Sequence, residues 1–127
     1  MVSLILISHS PKITEGVKDL AREMAKDAPI YAVGGNDDGG LGSSYERIKE
    51  AIGKAIGPDG AIILYDLGSS VMTATVVLDE LDEETLSRIK VSKAPLVEGA
   101  IVAAVGIDSG QSLDDIYTSL KEIEMTK

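Results

Sequence analysis

The sequence predicts an α/β fold: a three-layer, doubly wound sheet of about four parallel strands in the order 2-1-3-4, with helices on both faces. Three observations predict it. Val2 to Ser8 and Ala61 to Tyr65 are almost unbroken apolar runs, as expected of strands covered on both faces rather than one. Each is followed at once by a segment of helical period, so strands and helices alternate as in βαβ units with right-handed crossovers. The 127 residues are 44% hydrophobic but only 3% aromatic, so the core must be built from Ile, Val, Leu, Ala and Met, which suits layered packing. That length is one ordinary domain, and residues 1–127 are expected to form a single one.

The elements follow in order. After the first strand, Ile13, Val17, Leu20, Ala21 and Met24 fall on one face of a helix, with Ser10 as its N-cap and Pro11 at the first helical position. Ile30 to Val33 is a second short strand ending at Gly34-Gly35. The stretch GGNDDGGLGSS leads to a helix with Tyr45, Ile48, Ile52, Ala55 and Ile56 on one side. Pro58-Asp59-Gly60 makes a turn before the third strand, Ala61 to Tyr65, which ends in DLGSS. Residues 70–81 and 83–89 read as helices, Lys90 to Lys93 as a brief edge strand, and Pro95 to Ile107 as an Ala/Gly/Val helix that could also be read as a strand. A last helix starts near Leu113 and presents Ile116, Leu120 and Ile123.

Charge and composition exclude several functions. A formal charge of -9 repels phosphodiester backbones, and no basic stripe with interleaved aromatics offsets it, so nucleic acid is not an expected partner. The chain has no cysteine, which removes disulfides, thiolate chemistry and the usual zinc sites and fits a reducing, cytoplasmic compartment. The apolar first residues lack a basic flank and a cleavage signal and fall far short of the roughly 20 apolar residues a membrane span needs, so no membrane association is expected.

His9 is the one histidine of the chain and stands where the first strand gives way to a helix. In open α/β sheets ligand chemistry collects beyond the carboxyl ends of the strands, where strand order reverses. Asp66 ends the third strand in the same way, so the order 2-1-3-4 brings His9 and Asp66 together. A metal site needs more ligands than this chain gathers, and none is expected. A Ser-His-Asp hydrolase would need a Gly-x-Ser-x-Gly elbow that DLGSS does not supply. From its identity alone His9 reads as a structural histidine; its place at the switch point with Asp66 available favours covalent chemistry, in which a neutral imidazole attacks a phosphoryl group and carries it.

In that reading Asp66 accepts the N–H of one ring nitrogen and fixes the tautomer, leaving Nε2 to react. Two helix N-termini, after His9 and after Gly68, favour the phosphoryl dianion. Ser10, Gly68 and Ser69 are the candidate phosphate-binding residues: Gly68 admits close backbone approach, and Ser69 or Ser70 donates a hydroxyl or simply caps the helix. Asp66 as a plain turn-former is the competing reading. The glycine-rich loop lacks the lysine and the spacing of a nucleotide cradle, and Asp37 and Asp38 would repel phosphate, so it reads as a mobile rim. Met24, Met72 and Met125 read as packing residues, and Glu122, Glu124 and Lys127 as a solvated helix end.

The strings ISHSPKITEGVKDLAREMA, GGNDDGGLGSS, ILYDLGSSVMTA and APLVEGAIVAAV closely resemble the phosphotransfer subunits of bacterial phosphotransferase-system-dependent dihydroxyacetone kinases, a branch of the mannose-type enzyme IIA superfamily. The resemblance implies a relay in which the phosphohistidine protein HPr phosphorylates His9, with Asp66 as its orienting partner. His9 then passes the group to ADP, held with Mg²⁺ on the nucleotide-binding subunit of the kinase, and the chain binds no cofactor of its own. The resemblance also implies a homodimer. The transporter branch adds a strand exchanged between subunits, whereas residues 113–124 here have a helical period, so no exchange is expected. Two other functions compete: the IIA component of a mannose-type sugar transporter, donating to a IIB domain, and a non-enzymatic flavodoxin-like binding or signalling module. For the last, the end of the first strand offers neither the acidic cluster of a receiver nor a hydroxyl-rich flavin loop.

Overall fold

The structure, a computed structural model, describes residues 1–125 and 127. Its elements are β1 (Ser3–Ser8), α1 (Pro11–Met24), β2 (Ile30–Gly34), α2 (Tyr45–Ala55), β3 (Ala61–Tyr65), α3 (Gly68–Leu78), α4 (Glu83–Ser87), β4 (Ile89–Ser92), α5 (Leu96–Asp108) and α6 (Leu113–Lys121). The four strands form one parallel sheet in the order β2-β1-β3-β4.

The unbroken apolar pattern of β1 and β3 has its cause in the layers. Leu4, Leu6, Ile62 and Leu64 point to one face, against Val17 and Ala21 of α1, the alanines of α5, and Ile116 and Leu120 of α6. Ile5, Ile7, Ile63 and Tyr65 point to the other, against Ile48 and Ile52 of α2 and Ala74 and Val77 of α3. Successive strand side chains alternate faces, so a strand buried on both must be apolar at every position. The chain leaves β1 in one direction to build β2, then crosses back past β1 to build β3. Right-handed crossovers therefore put α1 and α2 on opposite faces and open a switch point between the carboxyl ends of β1 and β3.

The segment read as 95–107 forms a helix, Leu96–Asp108 with Pro95 as its N-cap, which settles the choice its Val/Ala composition left open. Its small residues let it lie close to the sheet: a Cβ at Gly99 would sit 3.1 Å from both Leu64 and Ala94 side-chain carbons. The second of the two short helices is trimmed to Glu83–Ser87 because Ile89 pairs with Ala61 in the sheet. Two expectations about the core are corrected. Met24, Met72 and Met125 are exposed, and Tyr65 lies in the core. No helix among the described residues is long and apolar enough to cross a membrane.

Candidate functional site

The two strand ends converge as expected. The Asp66 N–H donates to the Ile7 carbonyl at 3.2 Å, tying the end of β3 to the end of β1. The Asp66 carboxylate then collects four donors. Oδ2 accepts the Ser8 hydroxyl at 2.6 Å and the His9 backbone N–H at 3.3 Å. Oδ1 accepts the Leu67 N–H at 2.7 Å and the Ser70 hydroxyl at 2.8 Å. Burial alone would push the Asp66 carboxyl up; the hydrogen bonds from Ser8, Ser70, Leu67 and His9 outweigh it and hold the group below the ordinary aspartate value. Asp66 is thus a partly buried carboxylate that stays charged.

The imidazole does not touch that carboxylate directly. His9 Nδ1 and Asp66 Oδ1 are 3.8 Å apart, beyond hydrogen-bond distance. The Ser70 hydroxyl stands between them, 2.8 Å from Nδ1 and 2.8 Å from Oδ1. An ionised carboxylate only accepts, so Ser70 spends its one proton on Asp66 and its oxygen must accept from Nδ1–H. The neutral ring therefore carries its proton on Nδ1 and its lone pair on Nε2. Nε2 faces the exposed Ser69 hydroxyl at 2.9 Å. The expectation that Asp66 accepts the ring N–H of His9 directly is corrected to a contact relayed by Ser70.

The remaining candidates divide. Ser10 caps α1, its hydroxyl accepting the Ile13 N–H at 3.4 Å, while its own N–H donates to Ser8 Oγ at 3.1 Å. Gly68 is the first residue of α3, with nothing within 4 Å of where a Cβ would lie. No protein atom thus demands glycine there. No side chain caps α3, so the first turn keeps N–H groups turned toward the switch point. Sequence reasoning named Ser70 only beside Ser69 and missed Ser8 as a site residue. The helix starts two residues earlier than its apolar pattern implies, and this sets its phase: Ser70 turns inward, fully buried, and Ser69 outward.

The glycine-rich loop closes one side. The Gly42 N–H donates to the His9 carbonyl at 2.9 Å. Asn36 Oδ1 accepts the N–H groups of Asp38 and Gly40, Ser44 donates to Asp37, and Arg47 donates to the Gly34 and Asn36 carbonyls. Lys127 is no solvated helix end: its Nζ donates to the Ala94 carbonyl at 2.9 Å and to that of Tyr65, over whose ring it lies. Burial lowers the Lys127 pKa, and the Asp66 charge opposes that shift. Among the described residues no three His, Asp or Glu side chains gather in a metal-binding group.

A partly buried, charged carboxylate, a relaying hydroxyl and an imidazole with its lone pair turned outward form a nucleophile with a fixed tautomer. Residues 3–117 match the family model described as the phosphotransferase-system fructose IIA component, and the chain belongs to this mannose-type enzyme IIA family. Within it, the chain stands with the phosphoryl donor subunits of dihydroxyacetone kinases, DhaM. It is 41% identical over 106 residues to the phosphoryl donor subunit DhaM of phosphoenolpyruvate-dependent dihydroxyacetone kinase 2 from Listeria innocua, covering 83% of this chain and 85% of that one. It is 32% identical to the DhaM phosphotransferase subunit from Lactococcus lactis, covering 98% and 97%. Among solved structures, a crystallised protein of unknown function superposes with a TM-score of 0.84 at 30% identity over 99% of this chain and 98% of that one. The mannose/sorbose-specific IIA subunit from Enterococcus faecalis shares the fold, with a TM-score of 0.61 at 22% identity over 99% and 93%.

Proposed function

We propose that this chain is a phosphohistidine carrier that accepts a phosphoryl group from HPr on His9 Nε2 and passes it to ADP on the nucleotide-binding subunit of a dihydroxyacetone kinase. The observation that carries the reading is the Ser70-bridged contact between His9 and Asp66, which leaves Nε2 as the nucleophile. The names of the relatives supply the substrate class.

In the first step the Nε2 lone pair attacks phosphorus, the new N–P bond forms, and the N–P bond to the donor imidazole breaks. As Nε2 bonds to phosphorus the ring becomes cationic, and the charged Asp66, acting through Ser70, stabilises it. The Ser69 hydroxyl must leave the Nε2 lone pair and then serves a phosphoryl oxygen, together with Ser10, Gly68 and the N–H groups of α3. In the second step an oxygen of the ADP β-phosphate attacks, the N–P bond breaks, and ATP forms with the histidine neutral again. No cofactor is required on this chain; Mg²⁺ accompanies the nucleotide on the partner. A cytoplasmic location, a homodimer and a place in glycerol and dihydroxyacetone metabolism come with the family resemblance, not with the geometry.

The test is labelling with phosphoenolpyruvate, enzyme I and HPr. The native chain should take an acid-labile, alkali-stable phosphate and the His9→Gln variant none; a label of equal strength on the variant would overturn the reading. Supplying the kinase nucleotide-binding subunit with ADP, or in its place a sugar-transporter IIB domain, then separates the two acceptors.

A further inference from the structure

One ammonium close to the site takes no part in the transfer steps. β4 ends at Ser92, which pairs with Leu64, so the Tyr65 carbonyl lies just past the last rung between β3 and β4. The even spacing of a parallel ladder would bring it the Ala94 N–H, but that donor turns to Ser92 Oγ at 3.1 Å. Lys127 supplies the rung instead. Its Nζ donates to the Tyr65 carbonyl and, at 2.9 Å, to the Ala94 carbonyl, and lies 4.1 Å from the centre of the Tyr65 ring. The segment after α6 is led there by the Met125 N–H, which donates to the Lys93 carbonyl at 3.2 Å. Lys127 is exposed as a residue, yet its charged end is turned in between two strand ends.

The Tyr65–Asp66 peptide is thereby held from both sides, its carbonyl by Lys127 and its N–H by the Ile7 carbonyl at 3.2 Å. That peptide places Asp66, which through Ser70 sets the His9 ring. A neutral donor would satisfy the two carbonyls as well. Burial disfavours the charged form of Lys127, and the Asp66 charge is what opposes that shift, so the ammonium and the carboxylate act on each other. Phosphorylation of His9 brings a further anion to a chain of net charge -9. Among the described residues, none of the hydrogen bonds made by the side chains of His9, Asp66, Ser69 and Ser70 comes from a lysine or arginine. We propose that Lys127 is a positioning residue for phosphoryl transfer: its ammonium fixes the Tyr65–Asp66 peptide and sets a positive charge behind the carboxylate, so that the phosphoryl group approaches a notch whose negative charge is already offset. The proposal rests on the reading of His9 as phosphoryl acceptor.

The test compares Lys127→Arg, which keeps charge and donors, Lys127→Gln, which keeps a donor without charge, and Lys127→Met, which keeps only the apolar stem. Each is labelled by phosphorylated HPr and by phosphoramidate, a small donor that needs no protein contact, under conditions where circular dichroism shows every variant folded. A unit charge acting across a few ångströms of partly buried protein is worth roughly tenfold in rate. The glutamine and methionine variants should therefore slow about three- to tenfold with either donor, and the arginine variant should stay within about twofold of native. A native rate in Lys127→Gln would show a mere pin and overturn the proposal, as would a native rate in Lys127→Met or a loss seen only with HPr. The pH profile is a second readout. Lys127 is charged below its lowered pKa and neutral above it, so the native rate divided by that of Lys127→Gln should fall toward unity before the ordinary lysine range is reached. The same ratio for Lys127→Arg should stay high, because guanidinium keeps its proton. Asp66, the Tyr65 phenol, which burial pushes up, and Lys93 and Glu124, which line the same hollow, also face the ammonium. They are common to all the variants, so the ratio cancels their titration and that of the donor. A native ratio that stays flat through the alkaline range would overturn the role of the charge. If neither donor labels the native chain, it is the assignment of His9 that fails, and the role of Lys127 falls with it.

Discussion

His9 Nδ1 and Asp66 Oδ1 stand 3.8 Å apart with the Ser70 hydroxyl between them, 2.8 Å from each. The tautomer of the nucleophile therefore depends on a serine as much as on the aspartate. Ser70→Ala removes the relay but leaves the carboxylate its three other donors. Losing a hydrogen bond of about 1–1.5 kcal/mol that biases the ring corresponds to roughly a tenfold slower transfer. The proton on the imidazole should also move partly from Nδ1 to Nε2, which nitrogen NMR of the ring reads directly. A merely structural role would leave that spectrum unchanged. Ser70→Thr, which keeps the hydroxyl, should restore the native ring signature if the extra methyl is accommodated.

Asp66 should couple the site to stability. Its folded-state pKa is held below the ordinary value, so the stability it contributes is present above that ordinary value and lost as pH falls through the depressed one. Asp66→Asn lacks this titration and leaves some of the Ser8, Ser70, Leu67 and His9 donors poorly paired, at a cost of about 1–3 kcal/mol near neutral pH. Urea midpoints measured from neutral pH into the acid range should therefore converge: the native chain falls below the ordinary carboxylate range, and the variant starts lower and falls less. Transfer in the variant should be slower in both directions. Parallel midpoint curves would show that Asp66 is not held charged by its neighbours.

Much of this architecture was legible in the chain because it rests on patterns a single segment carries. The unbroken apolar runs of β1 and β3 announced strands covered twice, and the seams at His9 and Asp66 fixed the switch point. What was not legible depends on phase or on distant returns. Whether Ser69 or Ser70 faces Asp66 turns on where α3 starts, because each residue rotates the side chain by about 100°. The spacing of four from Asp66 to Ser70 was the available signal. The return of Lys127 to the ends of β3 and β4 involves segments far apart in sequence, and no local pattern announces it. The methionines misled because flexible apolar side chains look alike in a core and on a contact surface.

Gly34 should be intolerant of even a methyl group. A Cβ there would lie 2.4 Å from Thr14 Oγ1, 2.5 Å from Pro11 Cα and 2.5 Å from the Ser10 carbonyl oxygen. Two of those atoms are backbone and cannot swing aside, so Gly34→Ala must push β2 away from the start of α1. Overpacking of this kind costs about 1–3 kcal/mol. Since Ser10 and Pro11 directly follow His9, the same displacement should slow phosphoryl transfer. A urea midpoint unchanged from native would show that the strand end is free to shift.

Ser10 separates capping from phosphate binding. Its hydroxyl oxygen accepts the Ile13 N–H at 3.4 Å, a long bond, so Ser10→Ala should cost toward the lower end of the usual cap range, about 0.5–1 kcal/mol. Accepting that bond leaves the hydroxyl proton free for a phosphoryl oxygen. Glycine caps nearly as well as serine but has no proton to give. Ser10→Gly should therefore keep most of the native stability while showing the same few-fold slower transfer as Ser10→Ala. If instead the rate recovers together with the urea midpoint in the glycine variant, the hydroxyl acts only on the helix, and the phosphoryl group is held by Ser69 and the first turn of α3.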